Sequence, residues 1–211
     1  MNIRTRAIAL AGLLGLASSI LSPAAAQAAA RHKTEEIVLA GGCFWGMEAV
    51  FRELHGVVDV MPGYSGGKAA TAHYEIVSTG LTGHAESVRI TFDPSVISLR
   101  QLLDVDFTVA MDPTEKDYQG PDHGTQYRSV IFYESAEQQA VAQATIADYT
   151  RRRVYAAPIV TQVVPLERFY PAEAYHRNYA ALHPDNPYIV EEDLPKLAVL
   201  RQKYPQLVAA R

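Results

Sequence analysis

Gly41-Gly42-Cys43-Phe44-Trp45-Gly46 holds the one cysteine and the one tryptophan of a 211-residue chain. It lies between a strand-like run at 35–40, apolar from Ile37, and a run from 43 to about 54, where Met47, Val50, Phe51 and Leu54 recur at helical spacing. Such a strand-to-helix junction puts the thiol at the first turn of a helix. Unpaired backbone N–H groups and the positive end of the helix dipole favour an anion there, so the sulfur is expected to lean toward thiolate, the nucleophilic form of cysteine. The two glycines permit close backbone approach, and Phe44 and Trp45 set aromatic surfaces beside the sulfur. The plain alternative is a small buried cysteine that only packs; the glycine pair, the helix start and the aromatic pair together count against it.

Downstream, His55-Gly56 closes the helix, 57–64 reads as extended, 63–67 as a glycine-rich loop and 74–78 as one helical turn. Residues 85–92 alternate, with Val88, Ile90 and Phe92 on one strand face and Glu86 continuing that face. Desolvation there raises a carboxyl pKa, and a glutamic acid that keeps its proton near neutrality can act as a general acid. If the strand frays, Glu86 lies in water instead; the pattern alone leaves both open. Ser98 to Gln101 and Ser135 to Gln138 are capping boxes. They open one helix that ends before Asp112-Pro113 and a longer one that reaches about Arg152. Between these helices, 118–127 is dense in Gly, Pro, Asp and hydroxyl groups, a structured loop of the kind that carries function, and it runs into a strand at 126–133. A further strand is expected at 158–164, a short helix from Pro171 bearing Tyr175, His176 and Tyr179, and a terminal helix over 191–204. No repeat, low-complexity tract or long linker divides the chain. Strands mixed with helices, without strict βαβ alternation, give the α+β class: a single compact domain with a mixed sheet flanked by helices.

The first thirty residues stand apart. Arg4 and Arg6 precede an apolar stretch from Ala7 to about Leu21, and the small-residue run from Ala24 to Ala30 offers A-x-A cleavage sites. This reads as a secretory signal over 1–30, with the folded domain over 31–211, an exported and periplasmic location and no stable membrane insertion after cleavage; the alternative is an uncleaved membrane anchor, for which the apolar stretch falls short of a full span. Without it the chain carries 17 basic and 23 acidic residues, a charge of −6, which argues against nucleic acid as a partner. Export permits disulfides, yet a single cysteine forms none within the chain, so packing alone must hold the fold.

Gly41 to Gly46, followed by Gly63-Tyr64-Ser65-Gly66-Gly67, Gly83-His84-Ala85-Glu86 and Asp122-His123-Gly124-Thr125-Gln126-Tyr127-Arg128-Ser129, resembles the A-type peptide methionine sulfoxide reductase family in order and spacing over about 37–188. The resemblance implies a ferredoxin-like core with long loops and an open basin. It also implies reduction of the S epimer of methionine sulfoxide, free or in proteins, with no cofactor. By position, Cys43 matches the nucleophile and Glu86 the acid. Tyr74 and Tyr127 match two tyrosines that bind the sulfoxide oxygen, Asp122 the supporting loop aspartate, and Phe44 and Trp45 the walls around the substrate methyl; His176 is expected to help line the basin.

The chemistry fits these residue types. A sulfoxide oxygen leaves poorly unless protonated, so attack by the cysteine needs a proton donor and hydrogen bonds aimed at that oxygen. The methyl needs an apolar aromatic seat. Oxygen transfer leaves methionine and a sulfenic acid on Cys43. Many family members carry further cysteines near the C-terminus that resolve the sulfenic acid; here there are none, so an external thiol, a thioredoxin-like protein or a small thiol, is expected to attack Cys43 directly. Met111 and Pro121 also depart from the histidine and asparagine common in the family. A monomer is expected. Competing readings are a Cys–His hydrolase using His84 or His123, a metal site, for which the histidines lack an H-x-x-x-H pair, and a thiol-based oxidant sensor or methionine-rich peptide-binding module without turnover.

Overall fold

The structure, a computed structural model, describes residues 33–209; the expected secretory signal at 1–30 lies outside them. Strand β1 (Glu35–Ala40) is buried from Ile37 onward. It is a central strand, covered on both faces, and therefore reads as a continuous apolar run rather than an alternating one. Helix α1 (Phe44–Arg52) follows, then β2 (Val57–Ser65), the single turn α2 (Tyr74–Val77) and β3 (Ala85–Phe92). Helix α3 (Leu99–Val105) opens on the complete capping box of Ser98 and Gln101 and continues as a π-turn over Asp106–Ala110.

The chain continues through the short pair β4 (Tyr118–Gln119) and β5 (Asp122–His123) to β6 (Val130–Tyr133), α4 (Ala136–Arg152), β7 (Gln162–Pro165) and β8 (Phe169–Pro171). The short helix α5 (Tyr179–Leu182), a π-turn over Ile189–Asp193 and α6 (Leu194–Lys203) complete it.

The main sheet has the order β7-β6-β1-β3-β2-β8. Its four central strands pair antiparallel in the ferredoxin-like order. β7 joins parallel to β6 and β8 antiparallel to β2, which makes the sheet mixed. Helix α1 packs on β2 and β3 and carries Phe44, Met47, Val50 and Phe51 into a core shared with Ile37, Leu39, Val88 and Ile90. Each such large side chain contributes roughly 1.5–3 kcal/mol on burial. Val38, Ala40, Ala85, Val130 and Phe132 form a second, smaller cluster.

Several expectations are corrected. The stretch 63–67 is strand through Ser65, because Gly63 and Tyr64 pair with β3 on one side and β8 on the other. A Cβ on Gly63 would lie 2.3 Å from the Phe169 ring and 2.4 Å from the Tyr170 carbonyl, so this glycine marks a close approach within a strand. The strand expected over 126–133 begins only at Val130, and Thr125–Tyr127 forms a 3-10 turn. Its partner β7 is correspondingly restricted to Gln162–Pro165. Pro171 ends β8 rather than starting a helix; β8 is an edge strand, where the missing N–H of proline is tolerated. The second capping box is half made: Ser135 accepts from the Gln138 N–H, but the Gln138 side chain accepts from Glu134 N–H and donates to the Glu36 carbonyl, tying α4 to β1.

Candidate active site

Cys43 is the N-cap of α1, with extended backbone torsions and no side-chain cap bond. Gly42, at φ +90°, sits in the left-handed region, and its N–H donates to the Tyr127 carbonyl at 3.1 Å. A Cβ at Gly42 would meet Gln119 at 2.9 Å, so the turn is closed to other residues on both counts. Cys43 is 8% exposed.

The expectation of a resting thiolate is corrected here. Burial pushes the Cys43 thiol well above the ordinary thiol range, reinforced by Glu86, Asp193 and Asp122, while the Trp45 N–H opposes the shift. Desolvation outweighs the helix start.

Glu86 is 1% exposed and accepts from the Phe44 N–H at 3.2 Å, so its carboxyl takes the free N–H at the head of the helix that Cys43 caps. The strand does not fray. Tyr64 pairs opposite Glu86, and the register runs on to Ser65 and Ala85. Burial raises the Glu86 carboxyl to about 8, against the pull of the Phe44 N–H and with a further push from Asp122. At neutral pH the site therefore holds a protonated acid beside a protonated thiol.

Phe44 is fully buried, its ring 5.9 Å from Tyr64, 6.4 Å from Tyr74 and 4.8 Å from His176. Of the two aromatics it is Trp45 that reaches the surface. Its indole stacks on Tyr179 at 3.8 Å, meets Tyr188 edge-on at 6.2 Å, and donates its N–H to His176 Nδ1 at 3.0 Å. His176 is completely buried, and burial lowers its pKa. Its neutral ring accepts at Nδ1 and so carries its proton on Nε2. It contacts Trp45 from behind rather than lining the surface.

Tyr74 and Tyr127 are half-buried, and burial followed by the nearby Glu86 charge raises both phenols, Tyr74 to about 12. Cys43 adds to the upward shift of both phenols. The Asp122 carboxylate accepts a short hydrogen bond from the Tyr188 hydroxyl.

The other motifs form a polar clamp around these residues. Arg128 donates to the carbonyls of Gly83 and His84, and Thr125 donates to the Gly80 carbonyl. The His84 ring accepts from the Gly67 N–H at 3.2 Å and contacts the Lys68 carbonyl at 3.0 Å through its other nitrogen. With both nitrogens engaged, His84 is not free to serve as a base. His123 is exposed and stacks on Tyr118. Among the described residues no group of three His, Cys, Asp or Glu side chains could hold a metal ion.

Sequence reasoning did not single out Tyr188, Glu173, Asp193 or Lys196. Glu173 ties β2 to α2, accepting from the Tyr64 hydroxyl at 2.8 Å and from the Tyr74 N–H at 3.0 Å. Burial raises its carboxyl, but these hydrogen bonds outweigh it and the net shift is downward. The turn at Asn186-Pro187, where the Asn186 side chain accepts from the Tyr188 N–H, was the available signal for Tyr188. Asp193 and Lys196 lie on the terminal helical segment, which reads as ordinary amphipathic sequence.

The model of the family "Peptide methionine sulfoxide reductase" matches residues 35–207. A protein of Mesorhizobium japonicum named peptide methionine sulfoxide reductase MsrA 2 is 49% identical over 178 residues, 84% of this chain and 91% of that one. One of Thermus thermophilus named MsrA is 49% identical over 175 residues, 82% and 98% of the two chains. Among solved structures, reduced Mxr1 of Saccharomyces cerevisiae superposes with a TM-score of 0.69 at 34% identity, covering 74% of this chain and 89% of that one. Methionine sulfoxide reductase A of Corynebacterium diphtheriae gives 0.67 at 33%, covering 74% and 77%. The match embraces the thiol at the helix start, the buried carboxyl on strand β3 and the ferredoxin-like sheet that holds them together: the chain belongs to the peptide methionine sulfoxide reductase family.

Proposed function

We propose that Cys43 reduces methionine sulfoxide with Glu86 as the proton relay. The observation that carries this reading is the buried Glu86 carboxyl, raised to about 8 and held on the Phe44 N–H at the first turn of the helix that Cys43 caps. The sulfoxide methyl seats on Trp45, with Phe44 behind it, and the Tyr74 and Tyr127 hydroxyls donate to the oxygen. Glu86 protonates that oxygen as the Cys43 sulfur attacks the substrate sulfur, and the carboxylate so formed takes up the thiol proton. Cys43–SH and the sulfoxide thereby become Cys43–SOH and methionine, with Glu86 returned to its acid form. Asp122, through Tyr188, fixes the wall beside the sulfur.

Selectivity for the S epimer, free or in proteins, follows from the family resemblance. With one cysteine in the chain, an external thiol, a thioredoxin-like protein or a small thiol, restores the enzyme through a mixed disulfide. We further propose a secretory signal over 1–30, a catalytic domain over 31–211, a periplasmic location serving repair of oxidised exported proteins, and a monomer.

Catalytic loss of methionine sulfoxide with dithiothreitol present tests the reading, and Cys43→Ser is expected to abolish it. A Cys43→Ser variant that retains activity, or a wild type that binds the sulfoxide without turnover, contradicts it.

A further inference from the structure

Cys43 also opens on a trough of about 300 Å³, whose walls include Gln119, Asp122, Tyr188, Glu192 and Lys196. Asp112 and Glu115 lie along the same trough, so four carboxylates face one ammonium. That ammonium is paired with a buried carboxylate. Lys196 lies 3.5 Å from Asp193 Oδ1, with its own side chain 25% exposed and that of Asp193 1%. Asp193 in turn packs on the first turn of α1: a Cβ at Gly46 would lie 2.1 Å from its Oδ1 and 3.0 Å from Lys196 Nζ. The terminal helix, which carries no cysteine, thus places a cation beside the turn that holds the reactive sulfur.

We propose that this trough is the port of the reducing thiol and that Lys196 is the positioning residue that receives its thiolate, while the acidic walls select against thiols carrying further negative charge. The inference rests on the reading of Cys43 as the sulfur that becomes oxidised. The incoming thiolate attacks the Cys43 sulfur from the trough; the S–S bond forms, the S–O bond breaks, and the hydroxyl leaves as water with the proton of Glu86. A second thiol equivalent then attacks the reductant's sulfur, giving the reductant disulfide and returning Cys43 as a thiol. The reductants it fits best are neutral or cationic thiols, or a protein thiol with a neutral or basic surface around it.

The test separates the two halves of the cycle in the full chain. Sulfenic Cys43, generated by one equivalent of methionine sulfoxide, is mixed with cysteamine, 2-mercaptoethanol or 3-mercaptopropionate, and the reduction rate constant is measured for each. Lys196→Gln is expected to slow this step about tenfold, most for 3-mercaptopropionate, while Lys196→Arg keeps most of the rate. Glu115→Gln with Glu192→Gln retains an acceptor for the Gly120 N–H that Glu115 now binds. It is expected to raise 3-mercaptopropionate about threefold relative to cysteamine, a gain that disappears at about 1 M salt, where the Debye length is about 3 Å. The double variant Asp193→Asn with Lys196→Gln controls for an unpaired Asp193 and is expected to be as slow as Lys196→Gln alone. A Lys196→Gln rate within twofold of wild type for all three thiols, or recovery in the double variant, overturns the proposal. Absence of methionine formation in the wild type would instead fault the underlying reading of Cys43.

Discussion

Replacing Glu86 with glutamine is expected to make the protein more stable and much less active. The amide side chain retains an acceptor for the Phe44 N–H but carries no titratable proton. In the native chain the carboxyl sits at about 8 against an ordinary 4.5, so between those two values the folded state holds a proton that the unfolded chain releases. The Glu86 contribution to native stability is therefore full below about pH 4.5, is lost progressively as the pH rises, and levels off once Glu86 ionises above about 8. At pH 7 the accumulated cost is on the order of 3 kcal/mol. Glu86→Gln is relieved of it, which for a domain of this size corresponds to a rise in Tm of roughly 6–12 °C. Urea or thermal unfolding from pH 5 to 9 measures both quantities, and the difference between the proteins should widen up to about pH 8 and then level off. The same substitution is expected to slow methionine formation in a single turnover by about 10²–10⁴-fold, the usual weight of a general acid. In the wild type this rate should fall as the pH passes about 8. An unfolding difference independent of pH, or a glutamine variant that turns over at the native rate, would refute the reasoning.

Two further outcomes follow from the aromatic wall and the helix head. His176→Leu leaves the Trp45 indole N–H without its acceptor, which should cost roughly 1–3 kcal/mol and raise KM for the sulfoxide; because Trp45 is the only tryptophan, its fluorescence reports the reorientation, and His176→Asn, which keeps an acceptor, should recover part of the loss. Gly46→Ala drives a Cβ to 2.1 Å from Asp193 Oδ1 and should destabilise by about 1–3 kcal/mol in urea unfolding, with partial recovery when Asp193 is also cut back to alanine.

The sequence revealed those parts of the site whose signal is local. The strand, glycine pair and apolar helix around Cys43 follow one another along the chain, and the alternation of 85–92 puts Glu86 on the buried face, where it is found. Which way its pKa moves was open until the register of β2 against β3 fixed its burial. The thiolate expectation failed because the helix start is a local property, whereas the desolvation and carboxylates that oppose it come from distant segments: Glu86 on β3, Asp122 on β5 and Asp193 before α6. His176 was expected to help line the basin, and only the packing shows it behind Trp45 as a hydrogen-bond acceptor. The limits of β6 and β7, and β8 altogether, were missed because these strands are short, and pairing rather than propensity defines them. The terminal helix gave no sign that Asp193 and Lys196 would meet the head of α1, since that contact joins segments far apart along the chain.

The most direct test of the account is a titration of the enzyme with excess methionine sulfoxide in the absence of any reductant. About one methionine per enzyme is predicted, together with a single added oxygen trapped as a sulfenic acid on Cys43 and released by an added thiol. Continued turnover without a thiol, or oxidation at a residue other than Cys43, would contradict it.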